Sequence, residues 1–269
     1  MTDFLEALTG PPIVLTGAGI STDSGIPDYR GPLAPVRMPM TIAEFRSGPV
    51  ARQRYWARSH LGWQRMHHAD PNAGHLAIAD LQHHGTLGTV ITQNVDGLHQ
   101  RAGSGPVIDL HGRIDRVICL DCGTVSGRSE LHSRLLVLNS GFGAGLDLVN
   151  RPDGDVELED TSSFTVADCS VCGGILKPDV VFFGENVPPA RVAECYALVE
   201  AAAGLLVLGS SLTVQSGLRF VRRAHQRGIG IAIVNRGPTR GDEFATRRLE
   251  AGCSQTLSAL AANSPRPTA

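Results

Sequence analysis

Lysine is almost absent from this chain. Of 24 basic residues only Lys177 is a lysine, a bias that fits a GC-rich genome and says little about function. A basic excess is missing too: 269 residues carry a formal net charge of −2, so no positive field favours nonspecific nucleic-acid binding. No apolar run approaches the ~20 residues of a membrane span. The opening MTDFLEALTGPP has no basic n-region and no Arg/Ser-rich amphipathic stretch, so no signal or transit peptide is expected. These absences lead to the expectation of a cytoplasmic, bacterial protein with neither a specific nucleic-acid partner nor a membrane partner. Internal repeats are also missing.

Hydrophobic residues make up 42% of the chain, enough for a sizeable core in one large domain or two small ones. Six cysteines are present, four of them in the pairs Cys119/Cys122 and Cys169/Cys172; Cys195 and Cys253 stand alone. A chain of this size without a secretion signal does not need disulfide staples, so metal binding is the better reading of the pairs. The pattern is C-x2-C-x46-C-x2-C, each pair followed by glycine. Four thiolates close a tetrahedral zinc site, and a closed site is structural. The spacer exceeds the usual ~15–20 residues and must loop out.

Short apolar strands (PPIVLT, LGTVIT, PVIDL, KPDVVFFGE, GLLVL, IGIAIVN) alternate with helical stretches (PNAGHLAIADLQHHG, PARVAECYALVEAAAG, VQSGLRFVRRAHQRG, RRLEAGCSQTLSALAA). In the first helix Leu76, Ile78 and Leu81 supply the apolar spacing and Gly85 closes it. The pattern predicts an α/β, Rossmann-like doubly wound parallel sheet. Ligands on such sheets sit outside the carboxyl ends of the strands. Gly17, Gln93, His111, Gly209 and Asn235 all fall at those ends. Residues 32–70 and 113–176 interrupt the alternation, as a helical module and a zinc-binding module. The sheet domain is then 1–31, 71–112 and 177–262, within a single unit, and 263–269 is a disordered tail.

GAGISTDSGIPDYRG follows the first strand. Gly17-Ala18-Gly19 satisfies half of a dinucleotide fingerprint, with Thr22 where the third glycine belongs. Alone it reads equally as a tight strand-to-helix turn. Ser210 and Ser211 in GSSL, and Asn235, could meet phosphate or ribose, or simply close turns. His111 is either a structural histidine or a general base.

Taken together, GAGISTDSGIPDYRG, TQNVDGLH, LHG, the paired CxxC, KPDVVFFGE, GSSL and NRG, in this order from Ile13 to about Leu260, resemble the sirtuins. RQRYWARSHLGW, PDGDV, IGIAIVNRGPTR and the long spacer are similar to the class II branch. The resemblance implies an NAD-dependent protein-lysine deacylase acting on acylated protein lysines. An acyl oxygen attacks C1′ of the nicotinamide ribose, and nicotinamide and O-acyl-ADP-ribose are released. It implies that Asn94 and Asp96 line the nicotinamide pocket, that Gln93 lies beside the ribose, and that His111 is the general base. Around NAD it places Gly17, Ala18, Gly19, Ile20, Asp28, Tyr29, Arg30, Gly209, Ser210, Ser211, Asn235, Arg236, Gly237 and Cys253. Val181, Phe182, Phe183, Gly184 and Glu185 would pair with the substrate peptide as an added strand. One structural Zn2+ would occupy Cys119, Cys122, Cys169 and Cys172. Tyr55 and Arg58, at i and i+3 of one helix face, match a pair that binds the distal carboxylate of acidic acyl groups; a solvated helix face is the other reading. Mono-ADP-ribosyl transfer to protein is the alternative activity, and a nicotinamide dehydrogenase the rival from another class. The oligomeric state is not readable; a monomer is compatible.

Overall fold

A computed structural model describes residues 10–29, 39–144, 156, 158 and 160–263. Six strands form one parallel sheet: β1 (Ile13–Thr16), β2 (Val90–Thr92), β3 (Val107–Asp109), β7 (Gly204–Leu208), β8 (Gly230–Val234) and β9 (Arg247–Leu249), in the order β3-β2-β1-β7-β8-β9. The continuous apolar runs arise because both faces are covered. Ile13, Leu15, Leu205, Val207, Ile231 and Ile233 pack on α6 (Pro189–Ala201) and α7 (Gln215–Gln226). Their neighbours Val14, Leu206, Leu208, Ala232 and Val234 pack on α3 (Ala73–His83) and α8 (Cys253–Asn263). Strand order reverses between β1 and β7, the place where ligands bind such sheets.

A second, antiparallel sheet has the order β5-β4-β6, with β4 (Gly112–Cys119), β5 (Val125–Gly127) and β6 (Leu176–Val180). With α1 (Ile42–Arg46), α2 (Pro49–His68) and α5 (Arg128–Leu138) it surrounds a core of Phe45, Tyr55, Trp56, Val117, Leu131, Leu135, Phe164 and Phe182. A short α4 (Leu98–Arg101) follows β2. Among the described residues no helix is long and apolar enough to cross a membrane.

Four expectations change. KPDVVFFGE does not join the parallel sheet: β6 pairs with β4, and a boundary at 177 cuts through it. Pro178 lies inside this strand and is tolerated because β6 is an edge. Arg247–Leu249 form strand β9 rather than the start of the last helix, since β8 offers them a free edge. The turn after β1 leads into two 3-10 turns, Ala18–Ile20 and Thr22–Ser24, not an α-helix. Leu76 is 53% exposed while Ile78 and Leu81 are buried. Residues 30–38 and 264–269 lie outside the described residues, and with them Arg30 and most of the tail.

Candidate functional site

The turns after β1 and β7 press against each other. The Gly19 amide donates to the Gly209 carbonyl (2.8 Å), and the Gly17 amide to Leu208 (3.0 Å). A Cβ on Gly17 would lie 2.7 Å from Cβ of Ser210, and one on Gly209, at φ +59°, 2.5 Å from the Ile20 amide nitrogen. Glycine is therefore demanded first by the meeting of two backbones. Ile20 sends its side chain into the core, so Gly17, Gly19 and Ile20 present backbone alone. Gly209→Ala should cost on the order of 2–5 kcal/mol, from a left-handed residue plus a clash. Gly228, at φ +69° with open space, supplies the control: Gly228→Ala should cost only about 1–2 kcal/mol in the same denaturation series.

Beside this junction stands the end of β2. Asn94 donates from Nδ2 to the Gly17 carbonyl (3.1 Å) and to Oγ of Ser21 (3.0 Å). Ser21 donates to Oδ2 of Asp96 (2.7 Å), whose Oδ1 accepts from the Leu98 amide (2.9 Å). Burial pushes the Asp96 carboxyl above its ordinary pKa, opposed by hydrogen bonds from Leu98, Ser21 and Asn94 and by the Arg113 charge. Behind Ser21 is a buried histidine pair, His75 and His99, with ring centroids 4.9 Å apart. Desolvation lowers His75 to about 4, and desolvation with the His75 charge lowers His99 to about 3. Both are neutral imidazoles at pH 7. His75 accepts from the Asn72 amide at Nδ1 (3.3 Å), leaving Nε2–H to face Ser21 at 3.5 Å. Sequence reasoning missed Ser21, His75 and His99. The available signal was the helix start PNAGH, where Asn72 caps α3 and His75 returns the bond.

His111 follows β3. Its Nδ1 lies 2.8 Å from the Gln93 carbonyl, which can only accept, so Nδ1 carries the proton and Nε2 the lone pair. Oγ of Ser216 donates to Nε2 at 2.7 Å. Desolvation lowers the His111 pKa, the bond to Gln93 opposes it, and the Arg191 and Arg219 charges lower it further. Gln93 is itself clamped: Nε2 donates to Oγ of Ser210 (2.9 Å) and to the Thr16 carbonyl (3.2 Å).

The remaining sites divide into two groups. At the end of β8, Asn235 spends Nδ2 on the Arg236 and Gly237 carbonyls (2.9 and 3.0 Å), closing a loop with Gly237 at φ +80°. Cys253 is buried beneath it, its thiol raised to about 12 chiefly by burial. Ser210 is committed to Gln93, and Ser211 Oγ lies 3.1 Å from Thr213 Oγ1. On the other side, Val181 donates to the His111 carbonyl (2.8 Å) and Phe183 accepts from the Ile42 amide (3.0 Å). Gly184 turns the chain at φ +77°. Glu185 accepts from the Phe182 amide (2.9 Å) and from Nζ of Lys177 (3.0 Å). Lys177 is buried, donates to the Val180 and Pro178 carbonyls, and lies 5.0 Å from the Phe182 ring centroid. Tyr29, at the end of the loop that holds Asp28, meets Phe183 edge-on at 6.0 Å. Tyr55 packs between Phe45 and Phe182 (5.4 and 5.2 Å), and Arg58 donates from Nε to the Val156 carbonyl (2.7 Å).

Cys119, Cys122, Cys169 and Cys172 converge, their sulfurs all within 4.8 Å of one another. Cys119 and Cys172 are 3.5 Å apart and Cys122 and Cys169 3.9 Å, too far for a disulfide. A tetrahedron with Zn–S of about 2.3 Å puts its sulfurs about 3.8 Å apart, so the four fit that ion. Each knuckle closes alike: Gly123 and Gly173, both at φ +72°, donate to the carbonyls of Cys119 and Cys169.

Comparison with known proteins agrees with this geometry. The Sir2 family model matches residues 17–216. NAD-dependent protein deacetylase 1 of Mycobacterium avium is 55% identical over 260 residues, covering 95% of this chain and 92% of the relative. NAD-dependent protein deacetylase 1 of Streptomyces coelicolor is 56% identical over 265 residues, covering 97% and 88%. A solved Sir2 structure with a p53 peptide and NAD+ superposes with a TM-score of 0.76 at 32% identity, covering 96% of this chain and 95% of that one. Strand order, site and relatives together make this chain a member of the Sir2 family.

Proposed function

We propose that this chain is an NAD-dependent protein-lysine deacylase with one structural zinc ion, working in the cytoplasm on acylated protein lysines. The observation that carries the reading is the single-tautomer histidine after β3, held between the end of β2 and the start of α7. His111 presents an unprotonated Nε2, and its Nδ1 is bonded to the carbonyl of Gln93, the residue that leads into Asn94 and Asp96. The polar lining suits NAD in kind: the amides of Gln93 and Asn94 and the Ser21 hydroxyl for a neutral carboxamide and ribose, with Asn235, Arg236 and Ser211 farther along the edge. The donors of Gln93, Asn94, Ser21 and Asn235 now bond within the protein and would exchange partners on binding. NAD, when bound, supplies a glycosidic bond weakened by its cationic pyridinium. The chain's residues then do three things. Asn94 and Asp96 orient the carboxamide end, the 181–185 segment aligns the acyl-lysine, and His111 takes a proton from a ribose hydroxyl at Nε2.

Incubation with NAD and an acetyl-lysine peptide, followed by mass analysis, tests this. Equal yields of nicotinamide, free lysine and O-acetyl-ADP-ribose are expected. ADP-ribose attached to protein without lysine release would mean the transferase instead, and NADH the dehydrogenase.

A finer reading concerns the acyl group. Tyr55 touches Phe182, inside the segment assigned to the peptide, and Arg58 lies one turn on. A guanidinium bound to a distal carboxylate contributes on the order of 1.5–3 kcal/mol. Arg58→Ala should therefore lower kcat/KM on a glutaryl-lysine peptide by roughly 10–150-fold and scarcely change acetyl-lysine. Equal losses, or none, would assign Arg58 to holding the Val156 carbonyl.

A further inference from the structure

His111 is held from two sides. Its Nδ1 faces the Gln93 carbonyl, part of the β2 end. Its Nε2 faces Ser216, the second residue of α7. The helix comes this close because its next residue is glycine: a Cβ on Gly217 would lie 2.4 Å from Oε1 of Gln93. Gln93 and α7 thus form one clamp, with the imidazole between its jaws.

The charges around the ring make the second jaw important. Arg191, from α6, donates to the Leu110 carbonyl (3.2 Å) and disfavours a positive ring; Arg219, from α7, does the same. The acids nearest in the chain face other partners. Asp109 accepts from Gln100 (2.8 Å) and lies 3.7 Å from Arg116, and Asp179 lies 3.8 Å from Arg116. Among the described residues the His111 ring bonds to the Gln93 carbonyl and the Ser216 hydroxyl and to no carboxylate. Once Nε2 has taken a proton, the neighbour that can accept from it is a hydroxyl.

We propose that Ser216 is a positioning residue of the base, its hydroxyl donating to Nε2 of neutral His111 and turning to accept from Nε2–H once the ring is protonated. This rests on the reading of His111 as the general base. A substrate hydroxyl entering the site displaces Ser216 from the lone pair. Its O–H bond breaks as the N–H bond forms at Nε2, and its oxygen goes on to the acyl carbon. Ser216 then accepts from the imidazolium. No proton passes through Ser216. A methyl group in its place offers neither bond, and a hydrogen bond to a charged group is among the stronger ones.

The test compares Ser216→Ala, Ser216→Thr and His111→Ala. In the unliganded protein, 15N NMR of the histidine rings reads the bond directly, with His111→Ala identifying the resonances. Nε2 of His111 should show a hydrogen-bonded lone pair in the wild type and in S216T, and move toward the unbonded position in S216A. S216A should lower kcat by roughly 10- to 100-fold, with KM for NAD unchanged and nicotinamide exchange, which precedes the base's step, retained. S216T should recover most of kcat. An Nε2 resonance unmoved in S216A, or wild-type kcat in S216A while H111A is inactive, overturns the role of Ser216. Wild-type turnover by H111A overturns the reading beneath it. Should S216A fail to fold, Ser216→Cys, which keeps the shape and weakens the bond, carries the same comparison.

Discussion

His111→Ala is expected to keep the fold and NAD affinity and to lower turnover by ~10²–10⁴. The fold should survive because the imidazole caps no helix: its side-chain partners are one carbonyl and one hydroxyl, and the backbone bond from Val181 to the residue-111 carbonyl does not need the ring. Affinity should survive because Gln93, Asn94 and Asp96 are fixed independently, by Thr16, Gly17, Ser21 and Leu98. Turnover falls because the acids closest in sequence are bonded elsewhere. The pH profile gives a second check. Burial and two arginines lower the ring's pKa, so the base stays unprotonated at pH 7. The acid limb of kcat/KM should then lie below the ordinary imidazole value of about 6.5. Calorimetric titration with NAD and steady-state turnover settle both points. Near-wild-type turnover by the variant, or an acid limb above that value, would show another group taking the proton.

Removing the metal should have the largest effect on stability. Binding to four-thiolate sites is worth about 10–16 kcal/mol in small zinc domains, and that energy is folding energy. Here the ligands sit at one end of the second sheet: Cys119 ends β4, opposite Leu176 at the start of β6. The other ends of the same strands reach the site, since Gly112 follows His111 and Val181 bonds to the His111 carbonyl. Loss of zinc should therefore unfold the module and loosen the 181–185 segment, instead of merely slowing the chemistry. Chelation or Cys119→Ser, followed by limited proteolysis and circular dichroism, should show cleavage within 113–176 first. Folded, active protein with no bound zinc contradicts it.

The alternating apolar runs were enough to read the parallel sheet, because strands covered on both faces carry few polar residues, such as Thr16 and Thr92 at their ends. The metal cluster was legible from two CxxC pairs, since thiolate spacing is a local property. The edge elements were not. β6 is apolar like a buried strand, and only its pairing with β4 reveals a second sheet. Arg247–Leu249, two arginines and a leucine, carry no strand signal and form one because β8 has a vacant edge. Ser216 and His75 were hidden for a related reason. Each sits in the first turn of a helix, where the chain pattern reads a cap or an amphipathic start, and its partner is distant in sequence: His111 is 105 residues from Ser216 and Ser21 is 54 from His75.

Lys177 bears on what can happen to the protein itself. The residue is 5% exposed and its amine is enclosed by Glu185, the Phe182 ring and two carbonyls, and the chain has no other lysine. Reactive thioesters and acyl phosphates modify amines they can reach, and here they find no side-chain amine at the surface. An enzyme that clears acyl marks from other proteins thus gives those marks no lysine of its own on which to gather. Amine-directed dyes and cross-linkers likewise find no lysine to label at the surface, and arginine, inert to both, supplies the rest of the side-chain positive charge.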